Sequence, residues 1–463
     1  MAIQYPETSI QYLVLVLQGD HRVSSTSPPT KLLLLAFDGL SFPILKRLVD
    51  AGDLPCFKAL MDRGSWGLFQ SFVPSNSAVI WTSVMTGMHP RRHGIDSFIY
   101  YTAGKRVFRK SSVKKLLKLG FRPLFNLLKR KGYVRDHPFT LSMVREKMLW
   151  ELFAEGGRTA GVINWWHSWP APALPGFIVS DRVHYWRSRE RSHAQGELAD
   201  ACLVYPPRLA DAIMSRLVNP GEISDDAYQQ FMKVDASTVR SMKDAHYERH
   251  QLMSEFKYLY SMDESVKRMA LYCLDHLSQP DLLALYFRGI DIISHCALKY
   301  APYHRDASVT DEDASRFGDT VNAYYRYTDA LLGEIVRVVS RDTTVLVVSD
   351  HGFDKEPDGR FGHRKTGPPG TFIAAGKPFA RGARPRQVKL YDVAPTLLYL
   401  SGLPCSRDMA GRVITECIDP EFQRDHPVCY IDSYGTPVRH HAPIVSESEE
   451  LIKERLRALG YID

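Results

Sequence analysis

This chain has few cysteines, and none fall in a paired pattern. Seven are scattered at positions 56, 202, 273, 296, 405, 417 and 429, an odd number with no Cys-x-x-Cys spacing. A disulfide framework and a thiolate zinc site are both disfavoured, and a reducing, cytoplasmic compartment fits. Long apolar runs are also missing, since nothing reaches the roughly 20 residues that a bilayer-spanning helix needs. The nearest approach, Tyr-Leu-Val-Leu-Val-Leu at 12–17, is short. No Lys or Arg precedes it and no small-residue cleavage site comes after it, so it reads as a strand or a loosely held extension, not as a signal peptide. A polar linker over 24–29 then closes an N-terminal extension of residues 1–30. Strong charge is absent as well. Lys and Arg number 59 against 52 Asp and Glu, and the excess of +7 is small for 463 residues. Nothing in that balance calls for a nucleic-acid partner. No internal repeat is present.

What the chain does have is an ordinary globular composition, 44% apolar and 24% charged, which argues against disorder as its dominant state. Its length exceeds one ordinary core and implies a large domain with an insertion, or two domains. Leu32–Phe37 is a continuous apolar run, as in a parallel strand buried on both faces. Similar runs lie at 159–164, 282–287, 344–348 and 371–375, and helical patterns occupy 42–52, 143–154, 244–277, 314–339 and 393–400. Strands alternating with helices predict an α/β fold, a mostly parallel central sheet with helices on both faces. The stretch from about 100 to 275 interrupts the alternation with an aromatic cluster, Trp165-Trp166-His167-Ser168-Trp169, and a helix-rich part. It reads as a cap inserted over the sheet edge, within a domain of residues 31–463.

In such sheets, functional groups gather beyond the carboxyl ends of the strands. Asp38 directly follows one apolar strand, Asp350 follows another after a single serine, and Asp291 lies four residues after Phe287. Five short segments thus carry seven side chains able to hold two cations and a nucleophile: Asp38, Ser77, Asp291, His295, Asp350, His351 and His363. Two cations about 4 Å apart would concentrate the positive charge that phosphoryl chemistry needs near neutral pH. Most of these residues also have a plainer role. Asp38 would serve as a helix N-cap, and so would Ser77, just before an apolar helix. The same helix start would aim N–H groups and the positive dipole end at a phosphate. Asp291 and His295, at i,i+4, share a helix face, where they would ligate one ion or form an ordinary surface pair. Asp350-His351-Gly352 ends a buried strand, and the glycine permits the turn that lets both side chains reach one site. His363, in a Gly/Pro-rich loop, gains interest only as the seventh member.

Taken together, these segments resemble the alkaline phosphatase superfamily, and within it the type I phosphodiesterase/nucleotide pyrophosphatase group. More narrowly, the chain looks like its microbial phosphohydrolase/phosphomutase-like members. Ala36-Phe37-Asp38-Gly39 resembles the first metal motif, and Ser77 through Gly87, with His89-Pro90 and His93-Gly94-Ile95, resembles the nucleophile segment. Asp291-x-x-x-His295, Ser349-Asp350-His351-Gly352, Tyr391-Asp392-Val393-Ala394-Pro395 and the closing Leu456-Arg457-Ala458-Leu459-Gly460-Tyr461 match in order. The likeness covers about 30–100 and 280–463. It implies an alkaline-phosphatase-like catalytic domain with two divalent ions. Asp291, His295 and His363 would hold one ion; Asp38, Asp350, His351 and the Ser77 oxygen would hold the other. Zinc suits this donor mixture, with manganese and iron as alternatives. Ser77 would attack phosphorus and form a phospho-enzyme that water then hydrolyses. Two departures stand out. The nucleophile is serine where family diesterases commonly carry threonine, and Phe98 stands where nucleotide pyrophosphatases place an asparagine on a phosphate oxygen. Asn76, Asn164 or a backbone N–H would have to replace that donor, and a nucleotide substrate is less strongly implied. A sulfatase is disfavoured, because Ser77-Ala78-Val79-Ile80-Trp81 lacks the required Pro and Arg.

The reading is therefore a metal-dependent phosphohydrolase, in first place a phosphodiesterase, acting on a phosphorylated small molecule or lipid-derived substrate. The alternatives are a phosphotransferase or phosphomutase, and a non-catalytic membrane-associated scaffold. One further absence bears on partners. No acidic residue lies between Asp96 and Asp136, while twelve Lys and Arg do, with Leu117, Phe121, Leu124 and Leu128 at helical spacing. Residues 105–135 would contact an anionic membrane peripherally, draw in an anionic substrate, or pack as a cap helix with solvated charges.

Overall fold

In the computed structural model, Leu32–Phe37 forms strand β1 with all six residues buried. The structure describes residues 30–184, 202–248, 251–357, 361–439, 450 and 453. The apolar run at 12–17, the linker at 24–29 and the closing segment 456–461 lie outside the described residues. In chain order the next strands are β2 (Ser65–Gln70), β3 (Ile99–Ala103), β4 (Arg106–Arg109), β5 (Arg135–Pro138), β6 (Ala160–Ile163), β7 (Gly176–Val179) and β8 (Val204–Tyr205). Then come β9 (Leu282–Phe287), β10 (Thr344–Val348), β11 (Asp354–Lys355), β12 (Phe361–Gly362), β13 (Gly370–Ala375) and β14 (Val388–Lys389). The helices that bear on the site and the cap are α1 (Phe42–Asp50), α2 (Ser77–Thr86), α3 (Lys110–Leu116), α4 (Arg122–Arg130), α5 (Leu252–His276), α6 (Gly289–Ala297) and α7 (Thr320–Val338).

Nine strands form one sheet in the order β14-β2-β13-β10-β1-β9-β6-β7-β8. Its middle, β10 through β7, is parallel throughout. Antiparallel pairings occur only towards the flanks, where β13 meets β10 and β2, and where β8 meets β7. The mostly parallel α/β sheet predicted from the sequence is the one that forms.

Unbroken apolar strands make sense because both faces are covered. Leu33, Leu35 and Phe37 of β1 join a core with Leu283, Leu285 and Phe287 of β9 and with residues of α1, α5, α6 and α7. Leu32, Leu34 and Ala36 point the other way, into a second core with Leu282, Ala284, Tyr286 and the apolar residues of α2. Register locks the three central strands level, with Leu32 beside both Thr344 and Leu282. Their carboxyl ends therefore finish on one line, and the segments that leave them meet at one place.

Helix ends depart from the periodicity. The helix expected over 143–154 starts at Leu149, after Val144 turns extended, and Glu151 caps the Met148 N–H at 2.7 Å. The one expected over 244–277 starts at Leu252. That over 314–339 is split, with Asp311–Phe317 ending at Gly318 before α7 begins. Between 100 and 275 lie not only helices but three strands of the large sheet, β6 to β8, and a small antiparallel sheet, β4-β3-β5. No described helix is long and apolar enough to cross a membrane.

Candidate functional site

The chain leaves β1 at Phe37 and turns at Gly39, whose φ of +71° suits glycine. A Cβ there would sit 2.8 Å from the Asp291 Cα, so the turn also lets α6 approach closely. Asp38 is fully buried at this point. β10 ends one residue before Ser349-Asp350-His351, and the Gly39 N–H donates to Asp350 Oδ1 at 3.2 Å. β9 ends at Phe287, and α6 then carries Asp291 and His295 on one face, with Oδ1 and Nε2 3.5 Å apart. His363 comes directly after β12; its Nε2 lies 3.5 Å from Asp291 Oδ1 and 3.2 Å from His295 Nε2.

Ser77 is the first residue of α2, and the N-cap is Asn76, whose side chain accepts from the Val79 N–H. The capping role open to Ser77 is thus taken by its neighbour. The Ser77 hydroxyl instead donates to Asp38 Oδ1 at 3.5 Å. It sits at the positive end of a ten-residue helix, among N–H groups without intrahelical partners.

His351 stands at the centre. Its Nε2 is 3.3 Å from Asp38 Oδ1, 3.3 Å from Asp350 Oδ2 and 3.9 Å from Asp291 Oδ1. Its ring stacks on that of His363 with centroids 3.5 Å apart. Two compact donor sets result, Asp38/Asp350/His351 and Asp291/His351/His363, each with ligand atoms within 4.8 Å of one another. His295 borders the second set at the more exposed rim. All seven sequence-predicted residues are brought to one place.

Three buried carboxylates in one cluster cannot all ionise at leisure. Burial pushes Asp38 up, yet the imidazole of His351 and the hydroxyl of Tyr286 hold it below the ordinary carboxylate value. Burial, then the charge of Asp38, drives Asp291 and Asp350 well above that value. Burial opposes charging of His351, and Asp38 with Asp291 more than offsets it. The donors fit a cation. Asp350 Oδ2 and His351 Nε2 are buried without a hydrogen bond. The Nδ1–H of His351 donates to the Gly352 carbonyl at 3.1 Å, which leaves Nε2 as the ring nitrogen that faces the carboxylates.

Sequence reasoning missed several contributors. Ser75 Oγ donates to the His363 carbonyl at 3.1 Å and so accepts from His363 Nδ1 at 2.6 Å, fixing that ring in the same tautomer. Tyr286 donates its hydroxyl to Asp38 Oδ2. Arg288, buried, stacks over Trp166 at 4.4 Å and keeps a positive charge near the cluster. The only signal for Tyr286 and Arg288 was polarity at the end of an apolar strand. Of the two residues expected to hold substrate, Asn76 is the α2 cap, and Asn164 is buried with its amide donating to the Tyr286 carbonyl at 3.0 Å. Phe98 packs on Trp166.

A mostly parallel sheet that gathers carboxylates and imidazoles beyond its carboxyl edge makes the chain an α/β protein with a candidate metal centre. Within that class, residues 32–367 match the family model of type I phosphodiesterase/nucleotide pyrophosphatase, and the chain belongs to this family of phosphohydrolases. Among solved structures it is similar to phosphonoacetate hydrolase from Sinorhizobium meliloti in complex with phosphonoformate. The identity is 15% over 72% of this chain and 59% of that one, with a TM-score of 0.38. The chain thus spans less than two thirds of that protein's length. It is also similar to human ectonucleotide pyrophosphatase/phosphodiesterase 5, at 10% identity over 84% of this chain and 100% of that one, with a TM-score of 0.46. The murine protein gives the same figures. No curated protein matches the chain.

Proposed function

We propose that the chain is a metal-dependent phosphodiesterase that works through a phosphorylated Ser77. The observation that carries this reading is the meeting of seven side chains from five segments, with the Ser77 hydroxyl 3.5 Å from Asp38 at a helix N-terminus. Asp291, His295 and His363 would hold one divalent ion, and Asp38, Asp350 and His351 the other, with the Ser77 oxygen beside it. Zinc is the ion this mixture of imidazole and carboxylate suits best. When bound, such ions supply positive charge that eases loss of the Ser77 proton and offsets charge on the phosphoryl oxygens.

The residues of the chain divide the remaining work. Asp38, held at low pKa, is a weak base and orients the hydroxyl instead of removing its proton. Ser77 Oγ gives up its proton to solvent and forms a bond to phosphorus, while the bond from phosphorus to one ester oxygen breaks and that oxygen leaves as an alcohol after taking a proton from solvent. Water then attacks phosphorus from the opposite side, the bond between Ser77 Oγ and phosphorus breaks, and the phosphomonoester leaves as a proton from the water restores the Ser77 hydroxyl. The free N–H groups of the first turn of α2 face the phosphoryl oxygens throughout.

The test is hydrolysis of bis-p-nitrophenyl phosphate by wild type, by Ser77→Ala, and by wild type stripped with a chelator. Ser77→Ala should lose on the order of a thousandfold or more in kcat, and zinc should restore the stripped enzyme. Equal rates for all three would remove both Ser77 and the metal from the mechanism.

A further inference from the structure

The cap carries a surface that the site does not use. After β4 the chain forms α3, breaks at Gly120 with φ of +91°, and continues as α4. One side of this hairpin is anchored. Val113 is buried, Leu117, Phe125 and Val134 pack on the second core, and Phe125 meets the Tyr101 ring edge-on at 5.3 Å. The other side is bare, with α4 contributing no buried residue at all. Among the described residues, twelve large apolar side chains are exposed, and seven of them fall between 107 and 133. They are Val107, Leu116, Leu119, Phe121, Leu124, Leu127 and Tyr133, with Leu119 at 73% exposure. Scattered surface leucines need no account, but a cluster confined to one hairpin does.

The charge around this cluster names its occupant. No Asp or Glu lies between Asp96 and Asp136, while Lys114, Lys115, Lys118, Arg122 and Arg130 are exposed beside the apolar residues. A protein partner would be expected to meet a groove and a mixture of charges. A wall of cations with bulky apolar tips between them suits a layer whose headgroups are anionic and whose interior is hydrocarbon. Long Lys and Arg stems would lie along the headgroups while leucine and phenylalanine side chains enter the acyl boundary. We propose that the α3–α4 hairpin docks the protein on an anionic lipid bilayer. This inference does not rest on the catalytic reading.

The experiment is co-sedimentation with vesicles of phosphatidylcholine alone or mixed with phosphatidylglycerol, at low and high salt. Wild type should bind the mixed vesicles, not the neutral ones, and salt should weaken binding. Lys114→Gln/Lys115→Gln/Lys118→Gln should bind roughly a hundredfold more weakly, at the cost of three interfacial cations. Leu119→Gln/Leu124→Gln/Leu127→Gln should lose binding to the same extent or more. Both triple variants alter exposed side chains, and unchanged circular dichroism would establish that they fold. Equal binding to both vesicle types, no binding by wild type, or binding untouched in either variant would overturn the proposal. So would a wild-type dimer that the leucine variant dissolves, since the face would then belong to a second copy of the chain.

Discussion

Ser75 and Tyr286 define what single side chains do around the cluster. The Ser75 hydroxyl bridges both ends of His363, ring and carbonyl, across 288 residues of sequence. Replacing it by alanine leaves Ser77 and its helix untouched but frees the imidazole to rotate or change tautomer. We expect Ser75→Ala to weaken zinc affinity by about 10–100-fold, read by calorimetric titration of the stripped protein. Unaltered affinity would mean that His363 is aligned by other groups. Tyr286→Phe removes the hydroxyl on Asp38 and keeps the ring against Trp81, 5.3 Å away between centroids. Losing a hydrogen bond to a charged group costs about 1.5–3 kcal/mol of stability, so the melting temperature should fall by a few degrees, and kcat on bis-p-nitrophenyl phosphate should fall with it as Asp38 loses its orientation. A lower melting temperature at full activity would make Tyr286 a packing residue. Asp350 and His351 were legible because polar groups at the end of a buried apolar strand have few structural reasons to be there, whereas Asp38, Ser77, Asp291, His295 and His363 each had an ordinary reading and stood out only as an ordered set. Ser75 and Tyr286 were not legible. A loop serine and a strand tyrosine each have an ordinary excuse, and their partners are revealed only when distant segments meet.

At the level of elements, the strands were the readable part and the helix ends were not. β1, β9 and β10 occur where their apolar runs lie, because burial on both faces leaves no polar position to blur their limits. Helix starts depend on single contacts, such as Glu151 on the Met148 N–H, that periodicity does not encode. The short strands β7, β8 and β14 pass unnoticed in sequence because two to four residues carry no pattern. The turn after β1 is where an element positions chemistry. Gly39→Ala would place a methyl group 2.8 Å from the Asp291 Cα at a φ of +71°. Either α6 withdraws or the turn opens, and Asp38 and Asp291 separate in both cases. We expect a folded protein with reduced zinc content by elemental analysis and at least a tenfold loss of kcat, with strain of about 1–3 kcal/mol. Leu35→Ala is the contrasting case, since it empties a fully buried apolar core position that carries no donor atom. It should cost about 2–5 kcal/mol of stability, seen in urea unfolding, with kcat unchanged in the protein that remains folded.

Across the whole molecule, two buried histidines should weaken the fold as pH falls. His93 and His167 are buried in the second layer, and burial, the first cause in each case, holds both pKa values down to about 3. Each is neutral and bonded, His93 to Ser83 Oγ at 2.9 Å and to the Ile95 N–H at 3.2 Å, His167 to Thr82 Oγ1 at 2.8 Å. The Ile95 N–H donates to His93 Nδ1, so a second ring proton would face a donor. In the unfolded chain both would titrate near 6.5. Their folded pKa values are depressed, so the unfolded chain binds more protons, and the stability they contribute is present above about 6.5 and lost as pH falls towards 3. By pH 5 the loss is about 2 kcal/mol for each histidine. Asp263 works the other way. Burial raises it to about 6, so the folded state gains roughly 1 kcal/mol as pH drops from 7 to 5. The contribution of one histidine is isolated by the difference between two proteins: in urea unfolding at pH 7 and pH 5, His93→Gln should be less destabilised by acid than wild type, by about 2 kcal/mol. Comparing the two proteins cancels the contributions of the carboxylate cluster and of bound metal, which both share. An equal pH dependence in wild type and variant would mean that His93 takes up its proton as readily in the folded protein as in the unfolded chain, and that the second core is wetter than its packing implies.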